Sequence, residues 1–436
     1  MILRPPKDDP VAPNWPRPVE GAKYLRILHE QVLALRAQAS PDPHGNQQLF
    51  LDDVVLAHLF AFYNPTIKSL RIIEDFSRTR QARKHLKAPK ISRSTLSDFH
   101  RVTDPTLLQP IIARLHAQAR ANNCLPGGLP EMVTQLLAID GSFFALAANV
   151  AWAVGHRNNN GKKRASVRLD VHLDVVSWLP EIIDVHGAGV SEAQSATQHI
   201  KPGAIHIYDR GILSFELVQA QLDAKAFFVH RLRKPGERTP KLHIVEERPL
   251  TDAQRAAGVI ADRLVRFVGS SHREPPDAVL REVVLASPGE DDGEIRLLTN
   301  LMDHPPTDQA PTKRARKDQS LKDQSLDAAT IGLLYRSRWQ VELFFRWLKV
   351  FAHFEHMISH SKNGVLLSFY VAVIGVLLIC LYTNTRPSKY AYVMLSWVAN
   401  GNATWEEIAP ILAERHRQIA VDKAGKARRA AKKANG

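Results

Sequence analysis

The chain has 436 residues, 44% of them apolar, 23% charged and 7% aromatic, the make-up of a folded protein of roughly two to four domains rather than of a disordered or collagen-like chain. Lys and Arg number 58 against 44 Asp and Glu, a formal charge of +14, which points to a polyanionic partner, nucleic acid first and an anionic membrane surface second. Only two cysteines occur, Cys124 and Cys380, outside any CxxC pattern; this excludes a disulfide framework and a cysteine zinc module and suits a cytosolic protein.

The first 48 residues carry Pro5, Pro6, Pro10, Pro13, Pro16 and Pro18, so they read as an arm, and nothing in them has the form of a secretory signal. Apolar spacing then predicts helices over Leu51–Phe62 and Thr66–Ser77, Ser92-Arg93-Ser94-Thr95 caps a further short helix, and Asp104-Pro105 opens the next. Arg71, Arg78, Arg80, Arg83, Lys84, Lys87, Lys90, Arg93 and Arg101 make this region basic, which fits either a solvated face or a phosphate-binding one.

Past the turn at 126–130 the pattern changes to strands at Val133–Ile139, Ala165–Val176 and Glu181–Val185. A helix over Ser191–Ile200, a strand at Ala204–Tyr208, a helix over Ile212–Leu222 and a strand at Ala226–Arg231 follow. That order predicts an α/β or mixed-sheet core. Between 238 and 300, strand-like pieces at Leu242–Val245, Ala278–Ala286 and Ile295–Thr299 predict an inserted β-rich subdomain. Residues 303–327, with the basic run Lys313–Lys317 and a tandem Lys-Asp-Gln-Ser-Leu at 317–321 and 322–326, read as a flexible loop.

A long helix is predicted over Ala328–Phe351. The 18 residues Val365–Tyr382 are nearly all apolar, at the lower bound for a membrane span, and read as a helix buried on all sides of a core. The chain closes on Lys423, Lys426, Arg428, Arg429, Lys432 and Lys433, a tail expected to be disordered alone and suited to lie along a phosphate backbone.

Two aspartates stand at strand ends, Asp140 in Ile-Asp-Gly-Ser and Asp209 in Tyr-Asp-Arg-Gly. Open α/β sheets bind ligands outside strand ends, so the pair could hold a hard divalent cation, or each could simply cap the turn after it. In the long helix, steps of about 100° per residue bring Tyr335, Arg338, Glu342 and Lys349 within an arc of roughly 60°, while Leu334, Trp339, Val341, Phe344, Phe345, Trp347 and Leu348 surround them with apolar surface. Such a polar stripe must meet a solvated cleft or a ligand, or close on itself as an Arg338–Glu342 ion pair. The spacing of His353, His356 and His360 lacks acidic or cysteine partners for zinc. No GxSxG elbow accompanies Ser142 or Ser214, and Glu290–Glu294 reads as a solvated turn.

The spacing Tyr335, Arg338, Glu342, Lys349 in an aromatic-rich helix resembles the YREK signature of bacterial insertion-sequence DDE transposases of the IS-four family. Asp140 and Asp209 resemble that family's first and second catalytic aspartates. The likeness extends to Phe228–Arg231, Leu297–Asn300 and Ser361–Val365, touching roughly residues 130–385. Arg168-Leu169-Asp170 departs from the family pattern, which often has Lys-Leu-His there.

The resemblance implies a ribonuclease-H-like α/β catalytic core with a β-rich insertion and an N-terminal helical domain. The implied divisions are an arm and DNA-binding helices over 1–128, the core over 129–235, insertion and linker over 236–327, the core again over 328–400, and a C-terminal helix with basic tail over 401–436. Asp140, Asp209 and Glu342 would be the metal-binding catalytic triad, using Mg²⁺ with Mn²⁺ as a substitute. Tyr335, Arg338, Lys349, Arg231 and Arg210 would contact DNA. The implied activity is cut-and-paste transposition: hydrolysis at the element's ends to give a 3′-OH, then strand transfer into target DNA. The implied partners are double-stranded terminal inverted repeats and target DNA, bound by a dimer on the nucleoid, with no membrane. A metal-dependent nuclease or an inactive DNA-binding relative are the alternatives.

Overall fold

The computed structural model describes residues 35–36, 45–64, 66–80, 82, 90–121, 133, 135–145, 154–157, 163–176, 179–186, 190–233, 237, 239–269, 274–287, 293–302, 326–350, 358–383 and 387–434. Helices α1 (Leu51–Tyr63), α2 (Leu70–Ser77), α3 (Arg93–Val102) and α4 (Gln109–Ala121) precede strands β1 (Leu136–Ala145), β2 (Val154–Arg157), β3 (Lys163–Asp174) and β4 (Leu179–His186). Then come α5 (Glu192–Gln198), β5 (Ile205–Tyr208), α6 (Phe215–Asp223), β6 (Phe227–Arg231), β7 (Leu242–Glu247), α7 (Asp252–Ala256), β8 (Val259–Phe267), β9 (Leu280–Ala286) and β10 (Glu294–Thr299). The helices α8 (Ala328–Arg336), α9 (Trp339–Val350), α10 (Lys362–Thr383), α11 (Lys389–Ala399) and α12 (Trp405–Ala434) complete the chain. Residues 1–34 and 37–44 of the N-terminal arm, the 303–325 segment, and His353 and His356 lie outside the described residues.

The chain forms two units, one from residues 1–126, 145–150 and 346–436 and the other from 127–144 and 151–345, the division falling within α9. The first is helical. Its centre is α10, whose residues from Gly364 onward are almost all buried. The Tyr63 hydroxyl of α1 donates to the Gly375 carbonyl at 2.9 Å, and Tyr392 of α11 donates to the Phe62 carbonyl at 2.5 Å. A Cβ on Gly375 would lie 2.4 Å from the Phe62 ring, so the absence of a side chain there is what lets α1 lie against α10. The helix that is long and apolar enough to cross a membrane is thus buried as the core helix of this unit.

The C-terminal basic segment, expected without structure, continues α12 as one 30-residue helix to Ala434. Alanines at 420, 424, 427, 430, 431 and 434, among the best helix formers, favour that continuation between its cations.

The second unit is built on a ten-stranded sheet of order β2-β3-β1-β5-β6-β10-β9-β8-β7, with β4 paired to β3. Strands β1, β5 and β6 are parallel, while β3 and β4, and β6 and β10, are antiparallel. Every residue of β5 is buried, as suits a central strand covered on both faces. Helices α5 and α6 cover one face with Ala196, Leu217 and Val218, against Leu137, Ile139, Tyr208, Phe228 and Leu298.

The strand-like pieces of 238–300 are not folded apart from this sheet: β10 pairs with β6, Leu298 opposite His230, and β9, β8 and β7 follow outward. Strand β8 buries Asp262, which Arg281 of β9 engages through Nε at 2.8 Å and Nη2 at 2.7 Å. The same Arg281 donates through Nη1 to the carbonyls of Leu301 and Leu326, at 3.5 and 2.7 Å, and so holds together both ends of the 302–325 segment.

Two expectations need correction. The helix predicted over Ala328–Phe351 is two helices, broken at Ser337 and Arg338. Ser337 Oγ bonds back to the Leu334 carbonyl at 2.5 Å. The amides of Arg338, Gln340 and Val341 then reach back three residues rather than four, a tightening that serine side chains promote. Gly141, expected to turn the chain out of the sheet after Asp140, instead sits inside β1, which runs on to Ala145. Its reason is space, since a Cβ there would lie 2.7 Å from Asp170 Oδ1 and 3.0 Å from Glu192 Oε1.

Candidate active site

The register of the three parallel strands fixes where the first residues of the site emerge. Ala138 pairs with Ile207 and Tyr208 with His230, so Asp140, Asp209 and Arg231 fall at one level on adjacent strands. Asp209 and Arg231 stand at the C-terminal ends of β5 and β6, where a parallel sheet presents its ligands, and Asp140 stands beside them on β1, two residues past the last pair that β1 makes with β5. The apolar run Leu136–Ile139 anchors β1, and the fully buried Ile205–Tyr208 anchors β5. Asp140 is held by the amide of Gly141, which donates to its Oδ1 at 2.9 Å.

Helices α8 and α9 bring the remaining residues. Tyr335, 5% exposed, donates from its hydroxyl to Asp209 Oδ1 at 3.1 Å. Arg231 Nη1 stands 3.9 Å from the same oxygen. Arg338 Nη2 donates to Glu342 Oε1 in the short i, i+4 bond of α9, and its charge also acts on Asp209 and Asp140. One guanidinium therefore bonds Glu342 and carries its charge towards both aspartates, and it leaves the chain at the break between α8 and α9.

Electrostatics record the same crowding. Burial pushes the Asp140 carboxyl up to about 6, against the pull of Arg338 and the Gly141 amide and with the push of Glu192 and Glu342. Burial alone would lower the Arg338 guanidinium, but Asp209, Tyr335 and Glu342 more than offset it, so Arg338 stays charged. Burial and then Asp209 push the Tyr335 hydroxyl up, keeping it a donor at neutral pH.

Of the sequence-predicted residues, Asp140, Asp209, Glu342, Tyr335, Arg338 and Arg231 come together. Arg210 follows Asp209 in the turn after β5, and its carbonyl accepts from Arg233 Nε at 3.0 Å. Lys349 lies two turns beyond Glu342 on α9, in the part of that helix that belongs to the helical unit. Ser214 is the N-cap of α6, accepting from the Leu217 amide.

Two features were not foreseen. Arg168 and Asp170 form a buried bidentate pair, Nε to Oδ1 at 2.7 Å and Nη2 to Oδ2 at 2.9 Å, with Arg168 Nη1 on the Val190 carbonyl at 2.7 Å. Here the departure from the family pattern is an internal ion pair that holds the chain entering α5. Glu192, the first residue of α5, stands beside Asp140 and Asp209. Nothing in the sequence marks it beyond an acidic residue in a helix's first turn.

The family model of the transposase DDE domain matches residues 131–378, and the chain belongs to that family. It is 29% identical over 242 residues to a protein of Sinorhizobium fredii named as a transposase, y4zB, covering 55% of this chain and 58% of that one. It is 37% identical over 73 residues to a protein named as the transposase of insertion-sequence element IS5377 of Geobacillus stearothermophilus, covering 16% of this chain and 19% of that one. The chain thus spans about 58% and 19% of the length of these two relatives. A search of solved structures finds the piggyBac transposase in synaptic complex with hairpin DNA, at 10% identity and a TM-score of 0.35, covering 92% of this chain and 86% of that one.

Membership in the DDE family implies dependence on a divalent cation, and the donor set suits one. Asp140, Asp209 and Glu342 offer hard carboxylate oxygens, the ligands that Mg²⁺ and Mn²⁺ prefer. Asp140 is held up to about 6 mainly by burial, a cost that a bound cation would remove.

Proposed function

We propose that this protein is a DNA transposase whose ribonuclease-H-like core cuts double-stranded DNA at the ends of an insertion sequence and joins the freed ends to target DNA. What carries the reading is membership in the DDE family, and it is supported by Asp140 and Asp209 at one level on adjacent strands and by Arg338, which bonds Glu342 and acts on both aspartates. The strand order β4-β3-β1-β5-β6, with three parallel strands and two aspartates on adjacent ones, supports the assignment of the core.

In this reading Asp140, Asp209 and Glu342 hold Mg²⁺, with Mn²⁺ as a substitute. Such ions activate a water and stabilise the departing 3′ oxygen. Water attacks phosphorus, the bond from phosphorus to O3′ breaks, and the element ends in a 3′-OH that serves as the next nucleophile. Arg338 and Arg231 neutralise the scissile phosphate and Tyr335 donates to it, each exchanging a carboxylate for a phosphate oxygen. Arg210 and Lys349 extend the backbone contacts. The protein works as a dimer on DNA, in the cytoplasm at the nucleoid, and the net charge of +14 favours that polyanion.

The test is cleavage of a labelled fragment carrying the element's ends in Mg²⁺ or Mn²⁺, comparing wild type with Glu342→Gln and Asp209→Asn. Cutting by wild type alone, with binding retained in both variants, supports the reading. Equal cutting by all three removes the triad. Cut ends without joined products leave a nuclease, and binding without cutting leaves an inactive relative.

A further inference from the structure

We propose that Arg338 is a latch on the catalytic carboxylates: in the free protein its guanidinium keeps a divalent cation weakly bound, and a DNA phosphate draws it off, so that metal and DNA bind cooperatively. The proposal rests on the active-site reading above and adds to it the coupling between the two ligands.

The three groups that this reading gives to the phosphate are each turned onto a carboxylate. Arg338 Nη2 donates to Glu342 Oε1. The Tyr335 hydroxyl donates to Asp209 Oδ1 at 3.1 Å, and Arg231 Nη1 stands 3.9 Å from that same oxygen. Two of the three acids are therefore already engaged. The Arg338–Glu342 pair is the strongest of these contacts, a charged hydrogen bond one helical turn long. With side chains 11% and 31% exposed, it is also less open to screening by salt than a surface pair.

The charge of Arg338 is fixed. Burial opposes it, but Asp209, Tyr335 and Glu342 outweigh burial. The same charge acts on Asp140. Charges interact more strongly in such a partly buried site than in water. Arg338 thus opposes the entry of a second cation at the very ligands it acts on.

A DNA phosphate reverses this. Its oxygens suit the planar fork of a guanidinium, so Arg338 can exchange Glu342 for phosphate without losing a charged partner. Glu342 is then released, and the positive charge at the site is neutralised. Linkage requires each ligand to strengthen the other by the same factor. An arginine that merely oriented Glu342 for the metal would act in the opposite direction, and the two roles differ in sign.

The experiment is a titration of the full chain with Mn²⁺, read by the paramagnetic signal of the free ion. It is run without DNA and with a short duplex carrying the element's ends, and uptake by the duplex alone is subtracted. The duplex should tighten Mn²⁺ binding by wild type about 5- to 150-fold, the usual range of coupling between two sites. Without DNA, Arg338→Gln and Arg338→Met should bind Mn²⁺ more tightly than wild type, and the duplex should add less. Arg338→Lys, which keeps the charge, should stay near wild type. Equal or weaker Mn²⁺ binding by DNA-free Arg338→Gln and Arg338→Met, while Asp140→Asn and Glu342→Gln lose it, overturns the proposal and leaves the active-site reading intact. Equal tightening in Arg338→Lys assigns the effect to packing and also overturns the proposal. Wild-type affinity in Asp140→Asn and Glu342→Gln removes the active-site reading itself.

Discussion

The hydroxyl of Tyr335 donates to Oδ1 of Asp209 across 3.1 Å, joining residues 126 apart in the chain. This bond sets the reach of α8 over the end of β5, and with Arg231 it fixes one orientation of the Asp209 carboxylate. Tyr335→Phe removes the bond and keeps the ring. Stability measured by urea unfolding should fall by about 1 kcal/mol, and metal-dependent cleavage should fall while the metal affinity given by Asp140 and Glu342 is largely kept. Unchanged cleavage would show that the hydroxyl orients nothing.

Asp140 is raised from 3.8 to about 6, chiefly by burial. A carboxyl with a raised folded-state pKa binds protons more tightly folded than unfolded, so it costs stability as pH rises through about 4 to 6 and the cost is complete above that. Asp140→Asn should therefore be more stable than wild type at pH 7, by up to about 3 kcal/mol, and should lose the advantage near pH 4. Thermal unfolding of both proteins across that range checks it. An advantage that does not depend on pH would assign the effect to packing.

Within the sheet unit, burial lowers His172 to about 3, His206 to about 4 and His230 to about 3, with neighbouring histidines adding to the effect on His172 and His230. Lowered histidines are neutral in the fold and take up protons on unfolding below about 6.5, so stability falls as pH drops from there towards 4. Both ring nitrogens of His172 lack a hydrogen-bond partner. His172→Phe should cost little at pH 7.5 and should raise Tm relative to wild type at pH 5. A loss of Tm at both pH values would reveal a polar partner that the imidazole needs.

Arg281 is fully buried with Asp262, and it also holds Leu301 and Leu326. Arg281→Met should cost about 3–5 kcal/mol by leaving the buried Asp262 with only the 3.4 Å contact from Arg248, and a second change, Asp262→Leu, should restore much of it. Deleting one Lys-Asp-Gln-Ser-Leu copy at 317–321 should cost only a few tenths of a kcal/mol, because the closure entropy of a long segment changes slowly with length. Chemical unfolding of the three variants separates the two effects. A large loss on deletion would mean that the segment is more than a tether.

The parts of this molecule governed by local rules could be read from the sequence. Ser92 and Asp104 cap where their positions predict, and β5 and β6 lie within a residue of their expected ends. Family spacing put forward Asp140, Asp209 and Glu342 as the candidate site, although spacing could not say that the charge of Arg338 acts on both aspartates. What was hidden depends on partners far along the chain. Asp262 in β8 has no visible reason to be buried until Arg281 of the neighbouring strand reaches it, and Glu192 is an ordinary first-turn acid until β1 and β5 are laid side by side. Gly141 reads as a turn residue until Asp170 occupies the space its side chain would need.

The division of the chain has a consequence for its synthesis. Helix α1 is buried along its whole length, yet its contact with α10 joins Tyr63 to Gly375, 312 residues later. At roughly 5–20 residues per second, a ribosome needs about 15 to 60 s to deliver that partner. During this interval the sheet unit can fold within the span between them, whereas the first apolar helix waits. The helical unit is thus completed from both ends of the polypeptide, and a chain interrupted before residue 362 would release α1 without the surface it covers.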